Sequence, residues 1–495
     1  MSSAVRYLYH ESGLSALVAA GPDAWLIILS RSTRMFAYGG SALVLALLLA
    51  ALNVSEARIG LFMTLTLLGD VVLSLCTTLV ADQLGRRATL IGGSLLMICS
   101  GVVFALCDSY LALLVAAIVG IVSATGGDIG PFRAVEESTL SGLSGPESRA
   151  DVLVWYVTMS GLGSAAGTAA CGQFVEWLRK KDGWELVDAY HACFWVYVLM
   201  GAISGGSTML LSKRCELSGE QALKQEAITD ENDDDDDDDE TGEPFIEGQQ
   251  SGQTSRGPAG RDKKGWLAQI SRETRSVMYA LWFLLMVDSL ADGMTSMALT
   301  TYYIELKFHP TKSLLGGVLS AAYFIASCSA IFAGPLSRRI GLVSTMVFTH
   351  IPSSAAVLFF PLPQGIALTF ALLLLRIGLN NMDQAPRTAL IAAVVRPEER
   401  TAVMGITSML RTLAMMTGPS ITGLLAGNDQ FWIAFVVAGA LRLAYDLGLF
   451  VMFINIKLHK HETTRGTESA GHYALVEQQR HSGSDDDDAE ERGER

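Results

Sequence analysis

Apolar stretches of membrane-spanning length dominate this sequence and fix its fold class. A helix needs about 20 mainly apolar residues to cross the ~30 Å hydrocarbon core of a bilayer. We place about twelve such stretches, six in each half: 30–53, 59–81, 88–108, 109–128, 151–175, 189–211, 276–305, 314–336, 341–361, 364–385, 401–425 and 430–454. The sequence therefore predicts an all-α, multi-pass integral membrane protein with about twelve transmembrane helices in two pseudo-symmetric six-helix halves.

Two acidic segments lie outside these stretches and hold much of the net charge of -14. Residues 212–275 contain an aspartate run at 233–239 among glycines and polar residues, and residues 455–495 contain a second run at 485–488. High charge with few apolar residues is typical of disordered segments. We therefore predict five regions: a cytosolic N-terminal segment (1–29), two six-helix halves (30–211 and 276–454), a disordered acidic cytosolic linker (212–275) and a disordered acidic cytosolic tail (455–495).

Basic residues in the short loops predict the orientation of the chain. An even number of spans places both termini on one side of the membrane. Nine arginines fall in loops on that side: Arg86, Arg87, Arg133, Arg149, Arg338, Arg339, Arg387, Arg396 and Arg400. Fewer basic residues fall opposite: Arg58, Arg179, Lys180, Lys181, Lys307 and Lys312. Because short cytosolic loops are enriched in Lys and Arg, we expect both termini in the cytosol, and we favour the plasma membrane over an internal membrane.

Two short motifs occur once in each half. Asp82-Gln83-Leu84-Gly85-Arg86-Arg87 joins predicted spans two and three, and Gly334-Pro335-Leu336-Ser337-Arg338-Arg339-Ile340-Gly341 has the matching place in the second half. Further along, Gly127-Asp128-Ile129-Gly130-Pro131-Phe132-Arg133 and Met382-Asp383-Gln384-Ala385-Pro386-Arg387 close spans four and ten. Two matching halves of membrane-length segments are typical of transporters that rock about a central site.

The first motif resembles one of the major facilitator superfamily. That superfamily's loop between spans two and three reads Gly-x-x-x-Asp-Arg-x-Gly-Arg-Arg, and this chain departs from it at Gln83 and Thr78. The matching positions are Asp82, Gly85, Arg86 and Arg87. The resemblance covers nearly all of the chain outside the linker and tails. It implies two six-helix halves, a cavity lined by spans one, four, seven and ten, and alternating access.

We interpret the repeated motifs as a cytosolic gate. Asp82 can cap a neighbouring helix, while Arg86 and Arg87, after the turn at Gly85, can pair with acids or lipid phosphates. The alternative is a glycine turn with ordinary arginines of the cytosolic side.

The proline motifs extend this gate. We expect Pro131 and Pro386 to end spans four and ten, which leaves Asp128 and Asp383 in the unfavourable last turn of each helix. Each aspartate then needs a cation, and the nearest in sequence are Arg133 and Arg387; Glu136 and Glu137 extend the first copy only. The alternative is simple helix termination with local charge pairing.

Ionisable residues inside the predicted spans indicate a proton and substrate pathway. Asp288 and Asp292 share one face of span seven, so their mutual repulsion favours proton binding by one of them, although a static salt bridge is the alternative. Arg376 on span ten keeps its charge and would serve as counter-ion or anion anchor. Asp70 lies midway along span two, with Arg34 as a possible partner.

Other features suggest structural roles. Arg442 and Asp446, four apart on span twelve, are expected to pair with each other. Glycines at matching places on spans five and eleven suit close helix packing. The seven cysteines show no paired spacing, and we expect buried, inert thiols.

Two functions fit these observations. The first is a secondary active transporter in the lipid bilayer that moves a small-molecule substrate by alternating access, coupled to protons. The second is a carrier-like membrane nutrient sensor that signals through its linker and tail. The sequence contains no phosphate-binding loop, metal-ligand cluster or nucleophile elbow. We therefore expect no enzymatic activity, no cofactor or metal, and no nucleic-acid partner.

Overall fold

The computed structural model describes residues 14–120, 122, 132–144, 148–212, 215, 272–395 and 400–453, and these residues are almost entirely helical. In the first half the helices are α1 Leu14–Ala19, α2 Pro22–Ala51, α3 Glu56–Leu84, α4 Arg86–Leu106, α5 Tyr110–Gly120, α6 Phe132–Leu143, α7 Arg149–Arg179 and α8 Leu186–Met209. In the second half they are α9 Arg272–Met294, α10 Met297–Phe308, α11 Lys312–Ile340, α12 Leu342–Phe359, α13 Ile366–Asn380, α14 Gln384–Val394, α15 Arg400–Ala426 and α16 Phe431–Phe453.

Nine helices within the described ranges are long and apolar enough to cross a membrane. α5 is apolar but shorter. α7 and α15 have the length but a more polar sequence, and they hold matching places in the two halves as predicted spans five and eleven. Together the elements form two six-helix halves, which confirms the predicted fold class.

The two halves repeat one packing pattern. In the first half α2 packs against α7 and α8, and α4 packs against α8. In the second half the corresponding contacts join α9 to α15 and α16, and α12 to α16. Between the halves, α3 packs against α15 and α7 against α11. The polar, glycine-containing α7 and α15 thus lie where the halves meet rather than facing lipid alone.

A positive-φ glycine turns the chain at the same place in each half. Gly85 (φ 90°) separates α3 from α4, and Gly341 (φ 89°) separates α11 from α12. Residues with a Cβ atom rarely adopt this backbone conformation, whereas glycine does so without a steric cost. The need for a positive φ at this turn therefore explains why both copies of the motif contain a glycine there.

Two element boundaries differ from the sequence prediction. The stretch predicted as one span over 276–305 is broken at Thr295 and Ser296, between α9 and α10. Pro386 does not end a helix, because a single 3-10 turn (Asn381–Asp383) is followed by α14, which contains Pro386 in its first turn. Proline is tolerated there since its missing N–H has no intrahelical partner to lose.

The first span also begins at Pro22, earlier than predicted. The expected linker and tail fall almost wholly outside the described residues, as do Asp128 and Pro131.

The two halves meet closely on one side of the membrane. We call the side on which α2 begins and α16 ends the terminus side, and the opposite side the distal side. A Cβ atom on Gly60 would lie 2.8 Å from Cα of Gly423, and one on Gly316 would lie 3.0 Å from Cα of Gly172. All four glycines belong to the distal parts of α3, α15, α11 and α7. These backbone contacts hold the two halves together on the distal side.

Candidate transport site

Seven ionisable side chains meet inside the second half, and we call them the C-half cluster. They come from five segments: α9, α12, the 3-10 turn, α14 and α16. The members are Asp288, Asp292, His350, Asp383, Arg387, Arg442 and Asp446. All except Asp292 are buried. Buried charges are costly unless they are paired, so this pairing is a condition for the fold as well as a candidate site.

Asp288 lies at the centre of the cluster, with its side chain 1% exposed. Its Oδ2 atom is 3.4 Å from Nη2 of Arg387. Its Oδ1 atom is 3.8 Å from Nε of Arg442 and 3.7 Å from Nε2 of His350. Among the described residues no group donates a hydrogen bond to Oδ1. Asp288 is thus a carboxylate with one acceptor atom still available for a donor.

Asp292 has a different environment, although it shares a helix face with Asp288. Its side chain is 28% exposed, and Oδ1 lies 3.4 Å from Nη2 of Arg442. The two predicted pathway aspartates are therefore brought together through one arginine. Only one of them is open to its surroundings.

His350 is bonded on both ring nitrogens. Nδ1 lies 2.7 Å from Oδ1 of Asp446, whose Oδ2 accepts a hydrogen bond from the Ser354 hydroxyl at 2.8 Å. Nε2 lies 2.8 Å from Nη2 of Arg442. A guanidinium group only donates hydrogen bonds, so Nε2 accepts and the ring proton is on Nδ1. The hydrogen-bond network assigns a neutral His350.

Arg442 and Asp446 do not pair as expected. Arg442 donates to His350 and Asn380 and lies against Asp288 and Asp292, whereas Asp446 binds His350 and Ser354. Because both side chains are buried among other helices, partners on α9 and α12 satisfy them in place of the helical neighbour. The sequence prediction of a local pair was wrong.

The second proline motif contributes directly to the cluster. Arg387 pairs with Asp383, as predicted, and both are buried. Arg387 also contacts Asp288. The motif that the sequence placed at a gate and the aspartate that it placed in a pathway therefore belong to one ion network.

Arg376 occupies the break between α9 and α10. Its guanidinium donates to the backbone oxygen and hydroxyl of Thr295 and, at 3.0 Å, to the hydroxyl of Thr300. A helix end leaves carbonyl groups without intrahelical partners and carries partial negative charge. Arg376 thus donates hydrogen bonds to oxygen atoms at the end of α9. The partial negative charge of that helix end balances the guanidinium charge in place of a carboxylate.

Formal charges in this region balance. Two further arginines lie beside the C-half cluster. Arg376 binds the end of α9, and Arg411 donates to the Ser289 hydroxyl on α9. The four cations are Arg376, Arg387, Arg411 and Arg442, and the four carboxylates are Asp288, Asp292, Asp383 and Asp446. With a neutral His350 the formal sum is zero. One added proton would leave one positive charge in excess.

A second buried ion network lies in the first half, around Glu136 on α6. Its carboxylate accepts hydrogen bonds from both terminal nitrogens of Arg34, at 2.9 and 2.7 Å, and from the Tyr156 hydroxyl at 2.9 Å. Arg31 lies 4.0 Å away and over the Tyr156 ring. The Arg34 guanidinium also stacks over the ring of Phe132. This network ties α6 to α2 and α7.

The remaining predicted site residues of the first half lie near α6 or along α3. Arg86 donates to the Ser138 hydroxyl of α6, and Arg133 pairs with Glu137 within α6. Arg87 donates to the backbone oxygen of Met209. Asp70 is buried on α3. The side chain of Asp82 and all of Asp128 are outside the described residues.

Sequence reasoning missed two central residues. His350 stood alone in a predicted span, and Glu136 was noted only as an extension of a repeat. An ionisable residue within an apolar span was the signal available for His350. Nothing in the sequence paired Arg34 with Glu136, since the contact joins segments 102 residues apart.

No set of three or more His, Cys, Asp or Glu side chains suited to a metal ion is present within the described ranges. The clustered groups can exchange protons and form ion pairs. These side chains are therefore suited to binding charged groups and to transferring protons.

Comparisons with known proteins point to one family. A model of the Major Facilitator Superfamily matches residues 27–242 and 281–483. An uncharacterized membrane protein of Saccharomyces cerevisiae is 32% identical over 440 residues, which cover 88% of this chain and 95% of that protein.

Two solved structures share the fold. The xylose transporter XylE from E. coli, in an inward-open conformation, has a TM-score of 0.62 and 12% identity, over 86% of this chain and 95% of that chain. A bacterial homolog of the human lysosomal transporter Spinster, inward-facing and occupied, has a TM-score of 0.60 and 14% identity, over 88% of this chain and 96% of that chain.

Proposed function

The chain belongs to the Major Facilitator Superfamily of membrane transporters, and we propose that it is a secondary active carrier that moves a small solute by alternating access and couples this movement to protons. The C-half cluster carries the proposal. Ionisable groups inside a membrane are costly and by default mark a substrate or proton route. Here seven of them lie together, and one of the seven, Asp288, has an acceptor atom that receives no hydrogen bond from the described residues.

We assign proton uptake to His350, with Asp288 as its partner. A proton arriving at Nε2 turns this atom into a donor, which then faces the donor Nη2 of Arg442. The two donors repel, so Arg442 turns away from the ring. The new N–H group then has Oδ1 of Asp288 as acceptor, 3.7 Å away in the present geometry. Asp446 keeps the ring oriented through Nδ1 throughout.

Movement of Arg442 transmits this event to the more open part of the cluster. Arg442 also holds Asp292, the partly exposed aspartate. Losing that cation frees the Asp292 carboxylate for a solute or water. Proton binding and solute binding thus act on one side chain, which is the condition for coupling between two ligands.

The net charge of these side chains explains why proton uptake would favour the next step of transport. The C-half cluster taken together with Arg376 and Arg411 is formally balanced and gains one positive charge with the proton. An uncompensated charge in a low-dielectric region is unfavourable. Either a conformational change or an anionic group of the solute relieves this cost. Proton uptake therefore favours the next step of a transport cycle.

Closure on the distal side supports alternating access. With the predicted orientation, these contacts lie on the side away from the cytosol, and we assign the described conformation to the inward-facing state. In the opposite conformation, the terminus side closes, and we assign this closure to the motifs around Asp82 with Arg86, Asp128 with Arg133, and Asp383 with Arg387.

A solute panel tests the proposal. Purified protein is reconstituted into liposomes, and uptake of labelled sugars, nucleosides, peptides and carboxylates is measured with and without an imposed pH gradient. Accumulation of one solute above its equilibrium level only when the gradient is present supports a proton-coupled carrier. Uptake that equilibrates at the same level under both conditions contradicts the coupling and leaves a uniporter.

A further inference from the structure

Two cysteines from neighbouring helices face each other near the distal side. Cys171 on α7 and Cys193 on α8 have their Sγ atoms 3.4 Å apart, within hydrogen-bonding distance for thiols. The Cys193 thiol also lies 3.4 Å from the backbone oxygen of Ala189. Both cysteines are free and buried. Sequence spacing does not reveal this pair, since 22 residues separate the two positions.

A cavity of about 240 Å³ lies beside the two thiols. α2, α7 and α8 line it with mainly apolar side chains, among them Phe36, Val44, Phe174 and Phe194. The cavity gives a small reagent room next to both sulfur atoms.

We infer that Cys171 and Cys193 are a redox-active pair that closes to a disulfide between α7 and α8. A disulfide bond is about 2.05 Å long, so the sulfurs need to approach by roughly 1.3 Å, which side-chain rotation and a small helix shift supply. The adjacent cavity leaves space for this adjustment. With the predicted orientation, the pair lies in the half of the membrane that faces away from the cytosol, and disulfides persist on the extracytosolic side.

The reaction requires an oxidant, for which we name a low-molecular-weight disulfide. One cysteine loses its proton, attacks the oxidant and releases one thiol, leaving a mixed disulfide on the protein. The second cysteine loses its proton, attacks the mixed disulfide and releases a second thiol. The two protein sulfurs are oxidised by two electrons in total, and the oxidant is reduced to two thiols. Burial disfavours the thiolate, so the exchange is slow compared with that of an exposed pair.

The bond lies next to a contact between the halves but does not bridge them. Gly172 follows Cys171 in the chain and packs against Gly316 of the other half. Because α7 and α8 belong to the same half, a rocking movement of one half against the other leaves the distance between the two cysteines unchanged. We therefore expect oxidation to raise the thermal midpoint while transport continues.

The test uses the purified full-length protein incubated with bis(2-hydroxyethyl) disulfide, a small neutral disulfide, then alkylated, digested and analysed by mass spectrometry. The expected product is a peptide pair joined through Cys171 and Cys193, with loss of two of the seven free thiols. The thermal midpoint of the oxidised protein should exceed that of the reduced protein. Cys99→Ser, an exposed cysteine of α4, is the matched control and should give the same joined peptides.

Two variants keep the result interpretable. Cys193→Ser and Cys193→Ala should both abolish the joined peptides and the rise in midpoint, and Cys193→Ala covers the case in which serine is poorly tolerated. Recovery of both cysteines as free thiols, or of Cys171 only as a mercaptoethanol adduct in the unmodified sequence, would overturn the inference. Joined peptides formed with a different cysteine would overturn it equally.

Discussion

Asp288 and Asp292 carry the same side chain one helical turn apart, but their surroundings differ. Asp288 is enclosed by Arg387, Arg442 and His350, whereas Asp292 is partly exposed and contacts Arg442. Position on a helix made the two equivalent in the sequence. Packing by the neighbouring helices separates their roles.

Neutralising each aspartate should separate these roles. Asp288→Asn removes the negative charge that stabilises the protonated His350, so we expect gradient-driven accumulation to be lost while exchange of solute across the membrane continues. Asp292→Asn should keep accumulation and change the KM for solute instead. Both are measured in proteoliposomes, where retained exchange shows that the variant is folded. Undiminished accumulation by Asp288→Asn would contradict the assignment of Asp288 as the partner of His350 in proton uptake.

Glu136 and Glu137 form a matched pair for stability. Glu136 is buried with Arg34, so Glu136→Gln removes the negative charge of a buried ion pair and should cost about 3–5 kcal/mol. Glu137 is 35% exposed and pairs with Arg133 on the surface, so Glu137→Gln should cost about 0–1 kcal/mol. Thermal unfolding of the purified variants checks the order. Equal midpoints for the two would contradict a structural role for the buried network.

At the scale of elements, close helix contacts join the two halves on the distal side. Gly316 faces α7, and a Cβ atom there would come within 3.0 Å of Gly172, whereas a Cβ atom on Gly317 meets no atom within 4 Å. Two adjacent glycines of α11 therefore differ only in what they face.

Gly316→Ala should loosen the distal contact, and Gly317→Ala should not. The backbone of α7 cannot move aside without separating the helices, so we expect the first variant to favour the distally open state. The readout is labelling of a single cysteine introduced on the distal part of α7, with a reagent that does not cross membranes. Faster labelling in Gly316→Ala alone is the expected result. Equal labelling in both variants would argue against this contact as the distal closure.

Element existence was predictable here, but local interruptions were not. The apolar stretches give the helices because their length and composition match a bilayer. The break at Thr295 depends on Arg376, which satisfies the helix end from another span and leaves no local mark. The prediction that Pro386 ends a helix was also wrong. A 3-10 turn ends the preceding helix first, so Pro386 lies in the first turn of α14.

For the whole molecule, the site emerges only when distant segments meet. Asp288, Asp292, Arg376, Asp383 and Arg387 were identified from their place in apolar spans or repeats. Their joint surroundings were not, because His350 and Arg442 reach them from helices that follow separately in the chain. Sequence thus indicated which ionisable residues lie inside the helical halves more reliably than which residues they contact.

The acidic linker also belongs to this scale. Its polar residues cannot bury enough apolar area to offset ordering, so we predict that it acts as a flexible tether. Shortening a tether by half changes its closure entropy by roughly 0.6 kcal/mol. Deleting residues 233–260 should therefore leave the transport rate per inserted molecule within about twofold. Complete loss of transport in a correctly inserted deletion variant would favour the sensor function over the carrier.

The most direct test of the account is whether solute movement itself moves protons through His350. Proteoliposomes are loaded with a pH-sensitive dye, the transported solute is added on one side without an imposed pH gradient, and internal pH is followed. We predict that the solute gradient drives proton movement in the unmodified protein, whereas His350→Gln equilibrates the solute with no proton signal. A proton signal of the same size in His350→Gln would contradict the account.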